Sequence, residues 1–239
     1  MAKVVLTDAL LAFDGVKFSD TANEVAVDYA AESLDGTVFG NDTRVRCGGL
    51  FTAAMSASGF FQAEDPDKAF FQSMGAAGKV MTAAATATEG DIAYTLAAIM
   101  GSYQPIDNEV GELAGFSMSV GATDKLIRGT LMANKETITS TSSGTARQLG
   151  AVTSAQKLYA ALHVFSAGGT SPTLDIEIES DDGSGMASPV SRISFDQATA
   201  VGSQFKSLAG AITDDWWRVK WTVGGTSPDF DFLVVVGIL

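Results

Sequence analysis

LYAALHVFSAGGTSPTLDIEIES, residues 158–180, and DDWWRVKWTVGGTSPDFDFLVVVGIL, residues 214–239, share the pentapeptide GGTSP, at Gly168–Pro172 and again at Gly224–Pro228. The copies stand 56 positions apart (224 minus 168). Both are flanked by period-two alternation. Leu174, Ile176 and Ile178 oppose Asp175, Glu177 and Glu179; Trp217, Val219, Trp221 and Val223 oppose Arg218, Lys220 and Thr222; Phe230 and Phe232 oppose Asp229 and Asp231. Such alternation marks strands with one buried and one wet face. The spacing therefore predicts an antiparallel sandwich region over 146–239. Each GGTSP is expected to be a hairpin turn: Gly168, Gly169, Gly224 and Gly225 supply positive φ, and Pro172 and Pro228, lacking an N–H, close the loop. An old hairpin duplication and independent arrival at the same turn chemistry account for the repeat equally well.

Working outward, residues 1–145 read as a second strand-rich unit. In ANEVAVDYAAES, Val25, Val27 and Tyr29 alternate with Glu24, Ala26 and Asp28. LFTAAMSASGFFQ offers a further strand, and KVMTAAATATEGDIAYTLAAIMGSYQPI, whose Ala and Thr suit either state, is read as strands. Farther on, Leu113, Phe116, Met118 and Val120 are expected core positions, with a bulge near Gly115. One helix is marked, over 65–77: Asp65 caps it, Pro66 suits its first position, Asp67 favours its positive end, and Phe70, Ser73, Met74 and Ala77 share a face before Gly78. The Ser-, Thr- and Gly-rich SSGTARQLGAVTSAQ divides the two units. The fold class is therefore mainly β, with one short helix.

Composition narrows the function. With 15 Lys and Arg against 28 Asp and Glu, the formal charge is −13, the wrong sign for gripping phosphates. The single Cys47 excludes an internal disulfide and a cysteine-based zinc site, and fits folding in a reducing compartment. MAKVVLTDALLAF has no leader pattern, and apolar runs such as FLVVVGIL fall short of the roughly 20 residues that span a bilayer. A soluble, unprocessed chain without a membrane segment is expected.

Catalytic material is thin. The one histidine, His163, lies in a strand pattern with no neighbouring acid or serine elbow and reads as a packed residue. No nucleotide, metalloprotease or hydrolase motif is present. ESDDGSG, with Glu179, Asp181 and Asp182, lacks the spaced ligands of a calcium loop and reads as a solvated hairpin tip; Asp214 and Asp215 read as a turn. No enzyme, cofactor or metal site is expected. Of the adjacent Trp216 and Trp217, one should face outward and could stack on a sugar.

FDGVKFSDTANEVAVDYAAESLDGTVFGNDTRVRCGGL resembles the opening of the major tail tube proteins of long-tailed bacteriophages. The matching positions are Gly15, Val16, Phe18, Ser19, Asp35, Thr37, Phe39, Gly40, Thr43, Arg44, Arg46, Gly48 and Gly49. Cys47 and Gly48 depart from the family's Pro-Gly. The helix, the strands around 113–133 and the closing WRVKWTVGGTSPDFDF extend the likeness over most of the chain. The resemblance implies a structural virion protein, assembled in the bacterial cytoplasm, that stacks as rings, usually hexameric, into a tail tube whose negatively lined channel passes double-stranded DNA without binding it. It implies as partners other copies of the chain and the tape measure, tail terminator and baseplate or tail-tip proteins. Phe18, Ser19, Phe39, Gly40, Thr43, Arg44 and Arg46 become candidate ring contacts. The C-terminal region would be an outward decoration on hexameric rings or, less favoured, a second tube-like half in a trimer. The alternative is a β-sandwich module of a tail tip or cell surface that binds carbohydrate or a receptor, with Trp216 or Trp217 as its platform.

Overall fold

The computed structural model describes residues 5–63 and 65–239; residues 1–4, part of the stretch read as leaderless, and Glu64 lie outside it. In chain order the elements are β1 (Leu10–Phe13), β2 (Val16–Lys17), β3 (Ala22–Asp35), β4 (Arg46–Phe60), α1 (Asp65–Gln72), β5 (Lys79–Ala84), β6 (Ile92–Asp107), β7 (Gly115–Ala122), β8 (Ile127–Ile138), β9 (Ser142–Ser143), β10 (Arg147–Gln148), β11 (Lys157–Asp181), β12 (Val190–Ser194), β13 (Gly202–Ala209) and β14 (Trp216–Ile238). The chain is mainly β, with one helix among the described residues, and its strands are hydrogen-bonded into a single branched antiparallel sheet.

The two GGTSP copies are not hairpin turns. β11 and β14 each run straight through one copy and pair antiparallel with each other from Leu158↔Ile238 to Asp181↔Trp216, so the copies lie face to face: Gly168 opposes Asp229, Thr170 opposes Thr226, and Thr173 opposes Gly224. The register slips on both sides of Thr170. Positive φ occurs at Gly169 (104°), Ser171 (49°), Gly225 (106°) and Ser227 (48°), a matched set in the two strands. A Cβ on Gly169 would meet the Ser227 carbonyl oxygen at 2.5 Å, and one on Gly225 would meet that of Ser171 at 2.6 Å. Sequence alternation is the same whether the chain reverses or only bends, and both outcomes use glycine at positive φ. This explains why a hairpin and a double bulge look alike in the sequence.

The double bulge divides the ribbon between two settings. Its inner half pairs with β13 through Lys157–Val164 and with β8 through Phe230–Val236. Its outer half pairs with β12 through Glu177–Ser180 and with β9 and β10 at Trp216–Trp221. The inward residues read from the alternation, among them Leu174, Ile176, Ile178, Trp217, Val219, Trp221, Phe230 and Phe232, form one core with Met132 and Ala133 of β8. A second core gathers Phe13, Phe18, Met55, Ala57, Phe70, Met100, Phe116, Met118 and Val120. A smaller cluster of Leu10, Val80, Leu131, Leu233 and Val235 lies where β1, β5, β8 and β14 meet.

α1 is shorter than its pattern predicts. It ends at Gln72 rather than near residue 77, because Met74 bridges to Met100 of β6 and Gly75, at φ 71°, donates to the Met100 carbonyl. Phe70 is the buried anchor, meeting Phe13, Phe18, Tyr103 and Phe116 with ring centroids 5.2–5.9 Å apart. Met74 stays exposed. Leu113, expected in the core, is also exposed, since β7 starts only at Gly115 and Leu113 belongs to the preceding loop.

Candidate assembly surface

β3, β4, β7 and β6 form, in that order, a four-stranded antiparallel sheet with two distinct faces. Toward the core point the rows Val25, Ala57, Met118, Tyr103 and Val27, Met55, Val120, Met100. On the opposite face the cross-strand rows read Glu24, Ser58, Ser117, Gln104; then Ala26, Ser56, Ser119, Ser102; then Asp28, Ala54, Gly121, Ile99. Those three rows are small and polar, and their only charges are the carboxylates of Glu24 and Asp28. Glu24 accepts a hydrogen bond of 3.0 Å from the Ser58 hydroxyl.

Both outer edges of this sheet lack a partner among the described residues. β3 pairs only with β4. β6 is covered on one side by β7, and on the other β5 stops at Ala98 and Gly75 binds Met100, which leaves Gly101–Asp107 open. An open row of N–H and C=O groups is a template for another strand.

β3 and β4 also run on beyond the sheet. β4 pairs with β7 only over Ala54–Phe60, so Tyr29–Asp35 and Arg46–Ala53 form a free two-stranded arm about 20 Å long at roughly 3.3 Å per residue. Leu34, Val38, Phe39, Leu50 and Phe51 are exposed along it. Tyr29 stacks on Phe51 at 5.6 Å. At its tip the Asp35 carboxylate accepts hydrogen bonds from the Thr37 hydroxyl (2.6 Å) and N–H (3.0 Å), which hold its pKa below the usual value. Arg46 donates to Ser33 at 3.2 Å. An isolated two-stranded ribbon is marginally stable in water, and one with this much exposed apolar surface is a candidate for burial by a partner.

The residues singled out from the sequence separate into two groups. Phe39, Gly40, Thr43, Arg44 and Arg46 come together on the exposed arm tip. Phe18 and Ser19 lie away from that tip. Phe18 is buried edge-on against Phe70 and holds the subunit's own core, whereas Ser19 is half-buried and its hydroxyl accepts a bond from the Leu11 N–H at 2.8 Å. Sequence reading did not find the open β6 edge or the exposed Ile106, Val110 and Leu113 beside it. An alternating pattern shows which residues are inward but not which edge lacks a neighbour.

The remaining candidates serve the fold. His163 has no exposed surface, and burial pushes its pKa down to about 3. Gly15 N–H donates to its Nδ1 (3.4 Å), its Nε2 meets the Thr82 hydroxyl (2.9 Å), Thr82 meets the Thr95 hydroxyl (2.9 Å), and Thr95 donates to the Met81 carbonyl (3.1 Å). With Thr95 donating to Met81, the chain is consistent only if Nε2 carries the ring proton. ESDDGSG leads into the loop of the β11–β12 hairpin with Asp182 exposed, but two of its acids are not solvated: Glu179 and Asp181 are buried, the Asp181 carboxylate accepting from the N–H groups of Gly183 and Ser188 and Glu179 from Arg218. Trp217 is buried and donates to the Gly150 carbonyl at 2.8 Å, which removes it as a sugar platform. Trp216 is half-buried. No helix among the described residues is long and apolar enough to cross a membrane.

Fold and surface together define a mainly β chain whose four-stranded sheet has two open edges and a projecting apolar arm. No family model matches the sequence, and no curated protein matches it. Among solved structures, the chain is similar over 52% of its length to 97% of a chain from the virion of a native gene transfer agent particle, with 15% identity and a TM-score of 0.42. It is similar over 97% of its length to 99% of the Dit protein of SPP1, described as a paradigm of the hub adsorption apparatus in phages infecting Gram-positive hosts, with 11% identity and a TM-score of 0.41. A chain of the sheath–tube complex of an extracellular contractile injection system is matched over 52% of this chain and 90% of that one, at 14% identity and a TM-score of 0.40. Likenesses this distant are too slight to carry a function, which has to come from the sheet and the arm themselves.

Proposed function

We propose that this protein is a structural subunit of a phage tail whose activity is self-assembly into stacked rings that form a tube. The carrying observation is the four-stranded sheet with both edges open. Its strands alternate in direction, so the free β3 edge runs antiparallel to the free β6 edge. A neighbour related by rotation can then add its β3 to this chain's β6 and continue the same antiparallel pattern. Such a contact is heterologous, and it closes into a ring when the rotation divides the circle. Closure into a barrel removes every open edge.

In that ring the Ser-, Ala- and Gly-rich face, with Glu24 and Asp28, lines the channel, because the opposite face is already packed on the core. A wall without cations repels phosphates and lets double-stranded DNA pass unbound. The family resemblance favours hexameric rings carrying the C-terminal region outside, with the tape measure, tail terminator and baseplate or tail-tip proteins as further partners, in the virion tail after assembly in the host cytoplasm. No reaction is assigned to the chain.

Negative-stain electron microscopy of concentrated purified protein, with native mass spectrometry to count subunits, tests the reading. Rings or tubes of a single subunit number are expected. A protein that remains monomeric under all conditions, tail partners included, overturns it.

A further inference from the structure

Asp-Gly occurs three times in the chain, at 14–15, 35–36 and 182–183. In such a pair the glycine nitrogen, unscreened by a Cβ, can reach the preceding side-chain carboxyl and close a five-membered succinimide ring. Two of the pairs are held against this. The Asp14 carboxylate is gripped by Lys79 and by the Ser203 hydroxyl (2.9 Å), Gly15 N–H donates to His163, and a Cβ on Gly15 would meet the Gly202 nitrogen at 2.5 Å. The Asp35 carboxylate accepts from the Thr37 hydroxyl and N–H, and Gly36 N–H donates to the Val45 carbonyl at 2.9 Å.

Asp182–Gly183 is placed otherwise. It opens the loop 182–189 between β11 and β12. Asp182 is exposed and forms no ion pair among the described residues, and a Cβ on Gly183 or Gly185 would meet open space. The Gly183 N–H donates to Asp181 Oδ1 at 3.2 Å, while Oδ2 of the same carboxylate accepts from Ser188 N–H at 2.7 Å. Asp181 is buried, so its carboxylate is fixed in place. The two neighbouring carboxyls are driven apart in acidity. The bond from Ser188 N–H holds Asp181 below the usual carboxylate pKa; hydrogen bonding to Asp181, then its charge, holds Asp182 above it. Asp214, which faces both, is taken up by Ser180 and Arg192. A fixed base beside a carboxyl that keeps its proton is the division that acid–base chemistry requires.

We propose that Asp182–Gly183 is a self-modifying peptide unit, at which Asp181 acts as general base to convert Asp182 into isoaspartate through a succinimide. In the first step the Asp181 carboxylate takes the Gly183 amide proton, the nitrogen bonds to Asp182 Cγ, and the Cγ–OH bond breaks. The hydroxide leaves with that proton as water. In the second step a water molecule opens the ring, at Cγ to restore aspartate or at the main-chain carbonyl to leave isoaspartate. The product has the mass of the starting chain, and water is the only co-reactant. Its main chain carries an added methylene next to Gly183, one of the two N–H groups by which Asp181 anchors the loop, so the turn of the β11–β12 hairpin loosens. This chemistry belongs to the single chain and does not depend on the tube reading.

The test incubates the folded, full-length protein for weeks at neutral pH and maps its peptides by electron-transfer fragmentation, which separates isoaspartate from aspartate. Isoaspartate should accumulate at residue 182 about tenfold or more faster than at 14 or 35, with a transient species one water lighter. Asp181→Asn keeps an oxygen for the Gly183 N–H but is no base; it should slow residue 182 by about tenfold or more and leave the other two pairs unchanged. In concentrated urea, where the folded contacts are gone, the three pairs should react at similar rates. Equal rates in the folded protein overturn the proposal, and so does an excess at 182 that persists in urea. A rate at 182 unaltered by Asp181→Asn removes Asp181 as the base and overturns it as well. The comparison of the three pairs within the wild type stands even where the variant disturbs the loop.

Discussion

At the scale of single residues, buried polar groups are informative because each is either fully partnered or costly. His163 is partnered only as a neutral ring: Nδ1 accepts from Gly15, which leaves no place for a second ring proton. Its pKa is about 3 in the folded chain against an ordinary 6.5. Between those values the unfolded chain binds one more proton than the folded chain, so this group's contribution is fully present above pH 6.5 and is lost as the pH falls toward 3. Above about pH 5.5, where carboxylates are almost fully ionised, the slope belongs to the histidine and approaches about 1.2 kcal/mol per pH unit. Denaturant unfolding from pH 7 to pH 5.5 should show this slope in the wild type and lose it in His163→Leu, which also loses about 1–3 kcal/mol at pH 7 by leaving Gly15 N–H and Thr82 without their partner. Parallel profiles for the two proteins contradict this account. Arg218 gives a second contrast. It binds the buried Glu179 at 2.7 Å, whereas the Lys17–Glu136 pair lies in solvent. Arg218→Ala should therefore cost about 2 kcal/mol or more in thermal or chemical denaturation, and Lys17→Ala about 0.5 kcal/mol or less.

At the scale of elements, the GGTSP pair shows what the sequence could and could not convey. The alternation on both sides of each copy identified the inward residues Leu174, Ile176, Ile178, Trp217, Val219, Trp221, Phe230 and Phe232, since period two depends only on the faces of a strand, but it set the buried Glu179 on the wet face. It could not show that the two strands are each other's main partner, because register is a property of two segments and the repeat lies symmetrically in both. The helix was legible from Asp65 and Pro66 and from its anchor Phe70, but its end was not: Met74 is drawn away by β6, a contact distant in sequence. The double bulge makes a sharp prediction. Gly169→Ala and Gly225→Ala each place a Cβ against a facing carbonyl oxygen at positive φ and should lower stability by about 2 kcal/mol or more in calorimetry. Gly168→Ala has ordinary contacts of 3.5 Å with Asp229 and should stay within about 1 kcal/mol of wild type. Equal losses at 168 and 169 would mean that the facing copies do not set the bend.

At the scale of the whole molecule, two of the 28 acidic residues acquire a location. In the three outward rows of the four-stranded sheet only Glu24 and Asp28 are charged, and both sit on β3, beside the edge that the proposed ring closes. Repeated around a ring, these carboxylates form a negative band on a wall otherwise made of Ser, Ala, Gly, Gln and Ile. Polyanions interact with such a wall only by repulsion, which fades within about 10 Å at 0.1 M salt. Reversing the two charges turns the same wall into a phosphate-binding surface without touching either open edge or the arm. E24K/D28K should therefore still assemble, but tubes formed in the presence of short linear duplex DNA should pellet with it at about 50 mM salt and release most of it by about 200 mM, as counterion release requires. Wild-type tubes should pellet no DNA at either concentration. DNA carried down equally by both proteins would place this face outside the channel, and with it the direction in which the sheet curves.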